Sequence, residues 1–496
     1  MLKDKRESLR ESLGQTAVAL AEQAASQGRG DESRTWFSKA LEWNPNNEAA
    51  RKLQMIDPAS ETSAATEPYS TVSLSISDAS FKTAQAALAK GERPDPAGIR
   101  VEQFYNAVDY GDPAPGAGEP VAATVEQAAH PVVPGRNLVR VALRTGATGR
   151  SASQPLQLTL LVDQSGSMAR EDRRAAMAQA LTQLAGLLGP NDRLTVVGFS
   201  LTARMLADGM KGDQAGKLPT LVNQAASEGG TNLEGALLLA KQLAEARKLA
   251  GAQNRIVLFT DGAANLGNAD PAQLAETVKS MRQAGLAFDV AGIGTSELND
   301  RLLAELARHG NGRFYVVDSA AGANDGFAKQ LAGAFRPAAE NVKVQVRFNP
   351  QRVGAYKLIG FEEHRLNKED FRNDAVDAAE LAAEEAGVAL YQVEPLPAGT
   401  GELGEVSVRF RDAATGQMVE RSWTIPYDSS APAFDRAAPS MQLAGLAMLA
   451  AEKLRGGPLA EAVDFSQFAN PRATVQQFYP NNRRVAEVLE MVGALR

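Results

Sequence analysis

Residues 157–168 read QLTLLVDQSGSM, an apolar run of strand length that ends on an acidic residue and then turns to serine and glycine. A strand that is apolar at nearly every position is buried on both faces, as in a parallel sheet covered by helices. The same unit repeats downstream. Apolar runs predict strands over 157–163, 193–200, 255–261, 287–294 and 313–317. Amphipathic stretches between them predict helices over 171–188, 216–226, 233–250, 271–284 and 299–309. Repeated βα units with right-handed crossovers give a doubly wound parallel sheet. This α/β domain is expected over residues 151–335.

The chain on either side has a different texture. Residues 1–56 read as two helices around a Gly28-Arg29-Gly30-Asp31 turn, with Asn44-Pro45-Asn46-Asn47 stopping the second. Gly and Asp favour turns for backbone reasons, so Arg29-Gly30-Asp31 is read as a turn and not as an adhesion tripeptide. DPASETSAATEPYST over 57–71 reads as a linker. Residues 72–150 form an accessory αβ region, with period-two alternation at Val72, Leu74 and Ile76, helices over 81–90 and 98–110, and a strand over 137–144. Residues 336–496 are β-rich, with strands expected over 341–348, 356–362, 389–394, 405–410 and 418–425 and helices over 441–454 and 483–495. The two β-rich flanks are expected to meet in one β-sandwich, with the parallel-sheet domain inserted between them.

Composition narrows the chemistry. The chain has 496 residues, 44% of them hydrophobic, enough for several packed cores. It has no Cys, which excludes disulfides, thiolate metal sites and cysteine nucleophiles. Its three histidines, His130, His309 and His364, are far apart in sequence, which weakens any case for a Ser-His-Asp triad. A formal net charge of −7 gives no general electrostatic case for nucleic acid. The longest apolar runs, 156–162 and 443–451, fall short of the roughly 18 residues of a membrane-spanning helix. The N-terminal MLKDKRESLRESLGQ lacks the apolar stretch of a secretory signal.

The chemistry sits at strand ends. Open α/β sheets bind ligands at the carboxyl edge of their strands. The first strand delivers Asp163 there, and Ser165 and Ser167 follow at two-residue steps. Glu228-Gly229-Gly230-Thr231-Asn232 offers a Thr231 hydroxyl just before a helix, and Phe259-Thr260-Asp261-Gly262 brings a second carboxylate to the end of another strand. Oxygen donors of this kind suit Mg²⁺, Mn²⁺ or Ca²⁺ better than zinc. Neutral hydroxyls with two carboxylates, some acting only through water, leave such a cation incompletely neutralised, so that an open coordination position can take a partner's Asp or Glu.

With these three pieces in order, the segment resembles the von Willebrand factor type A domain, a Rossmann-like fold, and its metal-ion-dependent adhesion site. The resemblance implies that Ser165 and Ser167 bind the ion directly, with Thr231, Asp163 and Asp261 acting directly or through water. It covers about 165 residues. The flanks resemble bacterial YfbK-type proteins, in SISDASF over 75–81, GIRVEQFYN over 98–106, YKLIGFE over 356–362, DFRND over 370–374 and ALYQV over 389–393. In the first of these, serines stand where that family usually shows acidic residues. Members of the family are typically exported or membrane-tethered, which implies the cell envelope. The N-terminal hairpin resembles a single tetratricopeptide-type repeat.

Two charged stretches have plain readings. The acidic run EDFRNDAVDAAELAAEE over 369–385 lacks EF-hand spacing and reads as a solvated loop and helix face. Charges over 241–248 recur at helical spacing and read as an exposed helix surface. The function expected is therefore non-catalytic: a metal-dependent protein-binding module, with no nucleic-acid partner. The alternatives are a structural scaffold whose metal stabilises loops and a metal-dependent hydrolase. The last has no Walker A pattern and no histidine near the motif to serve as a base.

Overall fold

The computed structural model describes residues 61–496 except 148–153, 225–228, 263, 296–297, 321–326, 336, 375, 377, 430, 457–458 and 496, and within 1–60 only residues 12–17, 19–20, 36 and 39. The expected tetratricopeptide-like hairpin and its Gly28–Asp31 turn lie largely outside the described residues.

In chain order the strands are β1 (Thr62–Ser63), β2 (Tyr69–Ser73), β3 (Val121–Ala129), β4 (Asn137–Thr145), β5 (Leu156–Asp163), β6 (Arg193–Phe199), β7 (Ala203–Lys211), β8 (Gln253–Thr260), β9 (Ala287–Ile293) and β10 (Phe314–Val317). They continue as β11 (Pro337–Phe348), β12 (Val353–Ile359), β13 (Arg365–Leu366), β14 (Ala379–Ala382), β15 (Ala386–Pro395), β16 (Gly404–Asp412) and β17 (Met418–Ile425). The main helices are α1 (Ala79–Ala89), α2 (Glu102–Tyr105), α3 (Glu171–Gly186), α4 (Leu218–Gln224), α5 (Leu233–Ala246), α6 (Pro271–Gln283), α7 (Asp300–His309), α8 (Ala328–Phe335), α9 (Pro439–Arg455), α10 (Ala469–Phe478) and α11 (Arg483–Ala494).

One sheet has the order β10-β9-β8-β5-β6-β7 and is parallel except for β7, which runs antiparallel to β6. All eight positions of β5 are buried, as the apolar run requires. Its Leu158, Leu160 and Val162 join one core with Met177 and Leu181 of α3, Leu218 of α4 and Leu331 of α8. Leu161 points the other way, into a core with Leu237 of α5, Val278 of α6 and Leu303 of α7. The covering helices start on local signals. Asn232 accepts from the Gly235 N–H, Asp270 from Ala272 ahead of Pro271, and Asn299 from Leu302. The sequence reading passed over β7, whose mixed exposure at the sheet edge erases any clear period.

Two further sheets, β1-β12-β15-β4-β3 and β13-β2-β11-β16-β17 with β14 on β11, face each other as a sandwich. Val141, Val344, Leu390, Val406 and Phe410 share its core with α9, which is buried at every position from Met441 to Glu452. Each sheet combines strands from before residue 146 and after residue 336, so the parallel sheet is an insertion in the sandwich, as expected.

Several expectations need correction. The stretch read as a linker contributes β1, paired with β12, and most of β2, paired with β11. Its Ser and Thr residues resemble a loop, yet Thr71 is buried because a neighbouring strand supplies the ladder. The helix expected over 98–110 reduces to a 3₁₀ turn at Pro96–Gly98 and the single turn α2. Strand β3 and helix α10 had not been anticipated. The acidic run is not a solvated helix face: it forms a 3₁₀ turn (Lys368–Arg372) and β14, and two of its glutamates bind buried arginines.

Those glutamates join the two domains. Arg255 of β8 pairs with Asp289 of β9 at 2.9 Å and with Glu380 of β14 at 2.9 Å. Arg313, just before β10, holds Glu385 through two 2.7 Å bonds. Both arginines sit at the amino ends of the parallel strands. Along the open side of β10, Ser77 Oγ donates to the Phe314 carbonyl at 3.1 Å and Lys82 Nζ to the Val316 carbonyl at 3.0 Å. Edge-strand carbonyls are thereby satisfied by the sandwich domain.

Candidate metal centre

At the carboxyl end of β5 the backbone turns back on the Asp163 side chain. The Ser165 N–H donates to Asp163 Oδ1 at 2.8 Å, and the Ser165 and Ser167 hydroxyl oxygens converge to 3.1 Å. A 3₁₀ turn, Gly166–Ala169, then leads into α3. From the neighbouring β8, Thr260 Oγ1 donates to Asp163 Oδ2 at 2.6 Å and accepts from the Gly262 N–H at 3.0 Å. Asp261 lies between these two residues. Gly262 has φ +78°, and a Cβ there would lie 3.0 Å from the Cβ of Asn299, so glycine is required on both grounds.

Thr231 arrives on the loop before α5. The Gly166 N–H donates to the Gly229 carbonyl at 3.1 Å, which ties this loop to the serine turn. The Thr231 N–H donates to Asn265 Oδ1 at 2.7 Å, and the Thr231 carbonyl accepts from Asn265 and Leu266 at 3.2 Å. Hydrogen bonds thus link Asp163, Ser165 and Ser167 directly, and tie the loop that carries Thr231 to the serine turn through Gly229. Asp163, Ser165, Thr231 and Asp261 are buried and Ser167 is half-exposed. Leu201 and Leu266, both exposed, flank the loop, where Cβ atoms on Gly229 and Gly230 would meet their side chains below 3.0 Å.

Sequence reasoning missed Arg173. Its guanidinium bonds to Asp261 Oδ2 and, at 3.2 Å, to the Ser167 carbonyl, and both arginine and aspartate side chains are 1% exposed. The signal was available: Arg173 shares the buried stripe of α3 with Ala176, Met177 and Ala180, where a charge needs a partner. The Asp163 carboxyl is pushed up to about 6, first by burial and further by the charge of Asp261, against the hydrogen bonds from Thr260 and Ser165.

Among the described residues there is no cluster of three or more His, Cys, Asp or Glu side chains able to hold a metal. The donor set here is different, with three hydroxyls and two carboxylates. Two serine oxygens already in mutual contact, beside buried carboxylates, fit a hard divalent cation and not a soft one.

The model of the von Willebrand factor type A domain matches residues 158–263, which hold all five candidate residues. A model described as von Willebrand factor matches 47–140, and one described as the C-terminal region of the uncharacterized protein YfbK matches 333–401. The chain is 29% identical over 378 residues to YfbK of Escherichia coli strain K12, covering 74% of this chain and 66% of that protein, just under two thirds of its length. It is 25% identical over 289 residues to the uncharacterized protein sll0103 of Synechocystis, covering 56% of this chain and 67% of that one. A solved von Willebrand factor type A structure from Catenulispora acidiphila aligns over 73% of this chain and 86% of its own, with 17% identity and a TM-score of 0.45. Among the described residues no helix is long and apolar enough to cross a membrane. The chain therefore carries a von Willebrand factor type A domain over 158–263 and a region matching the YfbK C-terminal domain over 333–401.

Proposed function

We propose that this chain is a metal-dependent, non-catalytic protein-interaction module. A divalent cation, Mg²⁺ with Mn²⁺ or Ca²⁺ as substitutes, is held by Asp163, Ser165, Ser167, Thr231 and Asp261 and takes an Asp or Glu of a protein partner. The observation that carries this reading is the convergence of the Ser165 and Ser167 hydroxyls beside Asp163, with the Thr231 loop tied onto the same turn. When bound, the ion would supply an electrophilic position for a carboxylate oxygen. The chain's own residues supply the preorganisation. The Ser165 N–H fixes one oxygen of Asp163, Thr260 fixes the other, and Asn265 holds the Thr231 backbone. Type A domains are often protein-interaction modules, and we extend the proposal to the cell envelope only as the family resemblance implies it.

One observation favours the alternative, a structural scaffold with loop-stabilising metal. Thr260 and Arg173 already occupy an oxygen of each carboxylate. Titration calorimetry tests the metal site that both readings need, and only the adhesion reading further requires the bound ion to take a carboxylate ligand. Chelator-treated protein is expected to bind Mg²⁺ or Mn²⁺ saturably at one site, and a Ser165→Ala/Ser167→Ala variant to lose that binding while keeping its melting transition. A metal that raises the melting temperature of both proteins equally would contradict the adhesion reading.

A further inference from the structure

We infer that Arg173 is a built-in counter-cation of this site, holding its charge low enough that a bound divalent ion remains under-neutralised and requires an external carboxylate. The inference rests on the metal reading above and deepens it. Arg173 is buried, and its guanidinium reaches Asp261 Oδ2 and the Ser167 carbonyl together. Gly294, just after β9, packs beside it: a Cβ there would lie 3.5 Å from Arg173 Nε, in ordinary van der Waals contact. The guanidinium therefore lies under the ends of β5 and β9 beside the carboxylate that follows β8.

A guanidinium cannot lose its proton in a protein, so this positive charge is permanent. With Asp163 and Asp261 ionised, these two carboxylates and the Arg173 guanidinium sum to a single negative charge, and a divalent ion turns it into a single positive one. A site with two free carboxylates would bind the ion more tightly and leave no excess charge. Arg173 thus weakens the ion on its own and strengthens the ion together with an anionic ligand. Linkage makes that coupling reciprocal: the carboxylate must tighten the ion by the same factor as the ion tightens the carboxylate.

The test is calorimetric titration of the full chain with Mg²⁺, in sodium chloride and in sodium acetate of equal ionic strength. For the parent protein, acetate is expected to tighten Mg²⁺. Arg173→Gln is expected to bind Mg²⁺ alone about tenfold more tightly than the parent, because a like charge has been removed within a few ångströms, and to lose most of the acetate effect. Arg173→Lys keeps a cation there and is expected to behave as the parent. If Arg173→Gln is folded and binds Mg²⁺ no more tightly than the parent, the inference is overturned while the metal site stands. If Arg173→Gln shows no melting transition without Mg²⁺, a transition recovered on adding Mg²⁺ supports the inference, and none recovered overturns it. If the parent fails to bind but Arg173→Gln binds, Arg173 is the counter-cation and the adhesion reading fails. If neither binds, both fail.

Discussion

Glu102 is 3% exposed, and its Oε2 accepts the Phe361 N–H at 3.0 Å. Burial pushes its carboxyl up to about 7, with the charge of Glu362 adding to it and the Phe361 bond opposing it. A carboxyl raised in the folded state contributes stability that is complete below its ordinary value of 4.5 and is lost as pH rises through about 7. The shift corresponds to about 3 kcal/mol. Glu102→Gln keeps the acceptor and cannot ionise. Urea melts between mildly acidic and mildly alkaline pH should therefore show the parent losing stability that the variant retains. Equal slopes for the two proteins would contradict this account. Asp163 shifts in the same direction, so only the difference between parent and variant reads Glu102. At this scale the candidate residues of one turn can be read from the sequence, and the buried partner of Asp261 cannot. Asp163, Ser165 and Ser167 stand two residues apart, whereas Arg173 and Asp261 meet across 88 residues.

The elements divide by how they are buried. Strand β5 was legible because both its faces are covered, leaving an unbroken apolar run. Its Leu160 is fully buried among the α3 and α8 contacts, and Leu160→Ala should cost about 2–5 kcal/mol through lost contacts and a residual cavity. Denaturant titration would measure that loss, and a change below about 1 kcal/mol would show that the strand end is looser than described. Strands β2 and β7 were not legible, for opposite reasons. Strand β2 carries hydroxyl residues that a partner strand buries, and β7 exposes apolar residues such as Met205 at an unpaired edge. Neither pattern has a period until the neighbouring strand is known.

For the whole molecule, sequence indicated an insertion between two β-rich flanks but not what fixes the domains against each other. Arg255 and Glu380 lie 125 residues apart, and the acidic run that contains Glu380 and Glu385 reads locally as solvated. Their carboxylates instead meet Arg255 and Arg313 at the end of the parallel strands away from the candidate metal centre. Removing one partner of a buried ion pair leaves the other charge uncompensated. Glu385→Ala should therefore destabilise the chain by about 3–5 kcal/mol in a denaturant titration. A loss within about 0.5 kcal/mol would show that the pair is effectively solvated and that the domains are coupled by other contacts. With its amino ends held in this way, the parallel sheet presents Asp163, Ser167 and Thr231 at the opposite edge.

The central claim is that these residues hold a divalent ion, and the most direct measurement is anomalous diffraction from crystals of the full chain grown with Mn²⁺. The account predicts one anomalous peak enclosed by Asp163, Ser165, Ser167, Thr231 and Asp261, and none in crystals of the Ser165→Ala/Ser167→Ala variant. A peak elsewhere, or Mn²⁺-grown crystals with Thr260 and Arg173 still closing both carboxylates and no peak between them, would contradict it.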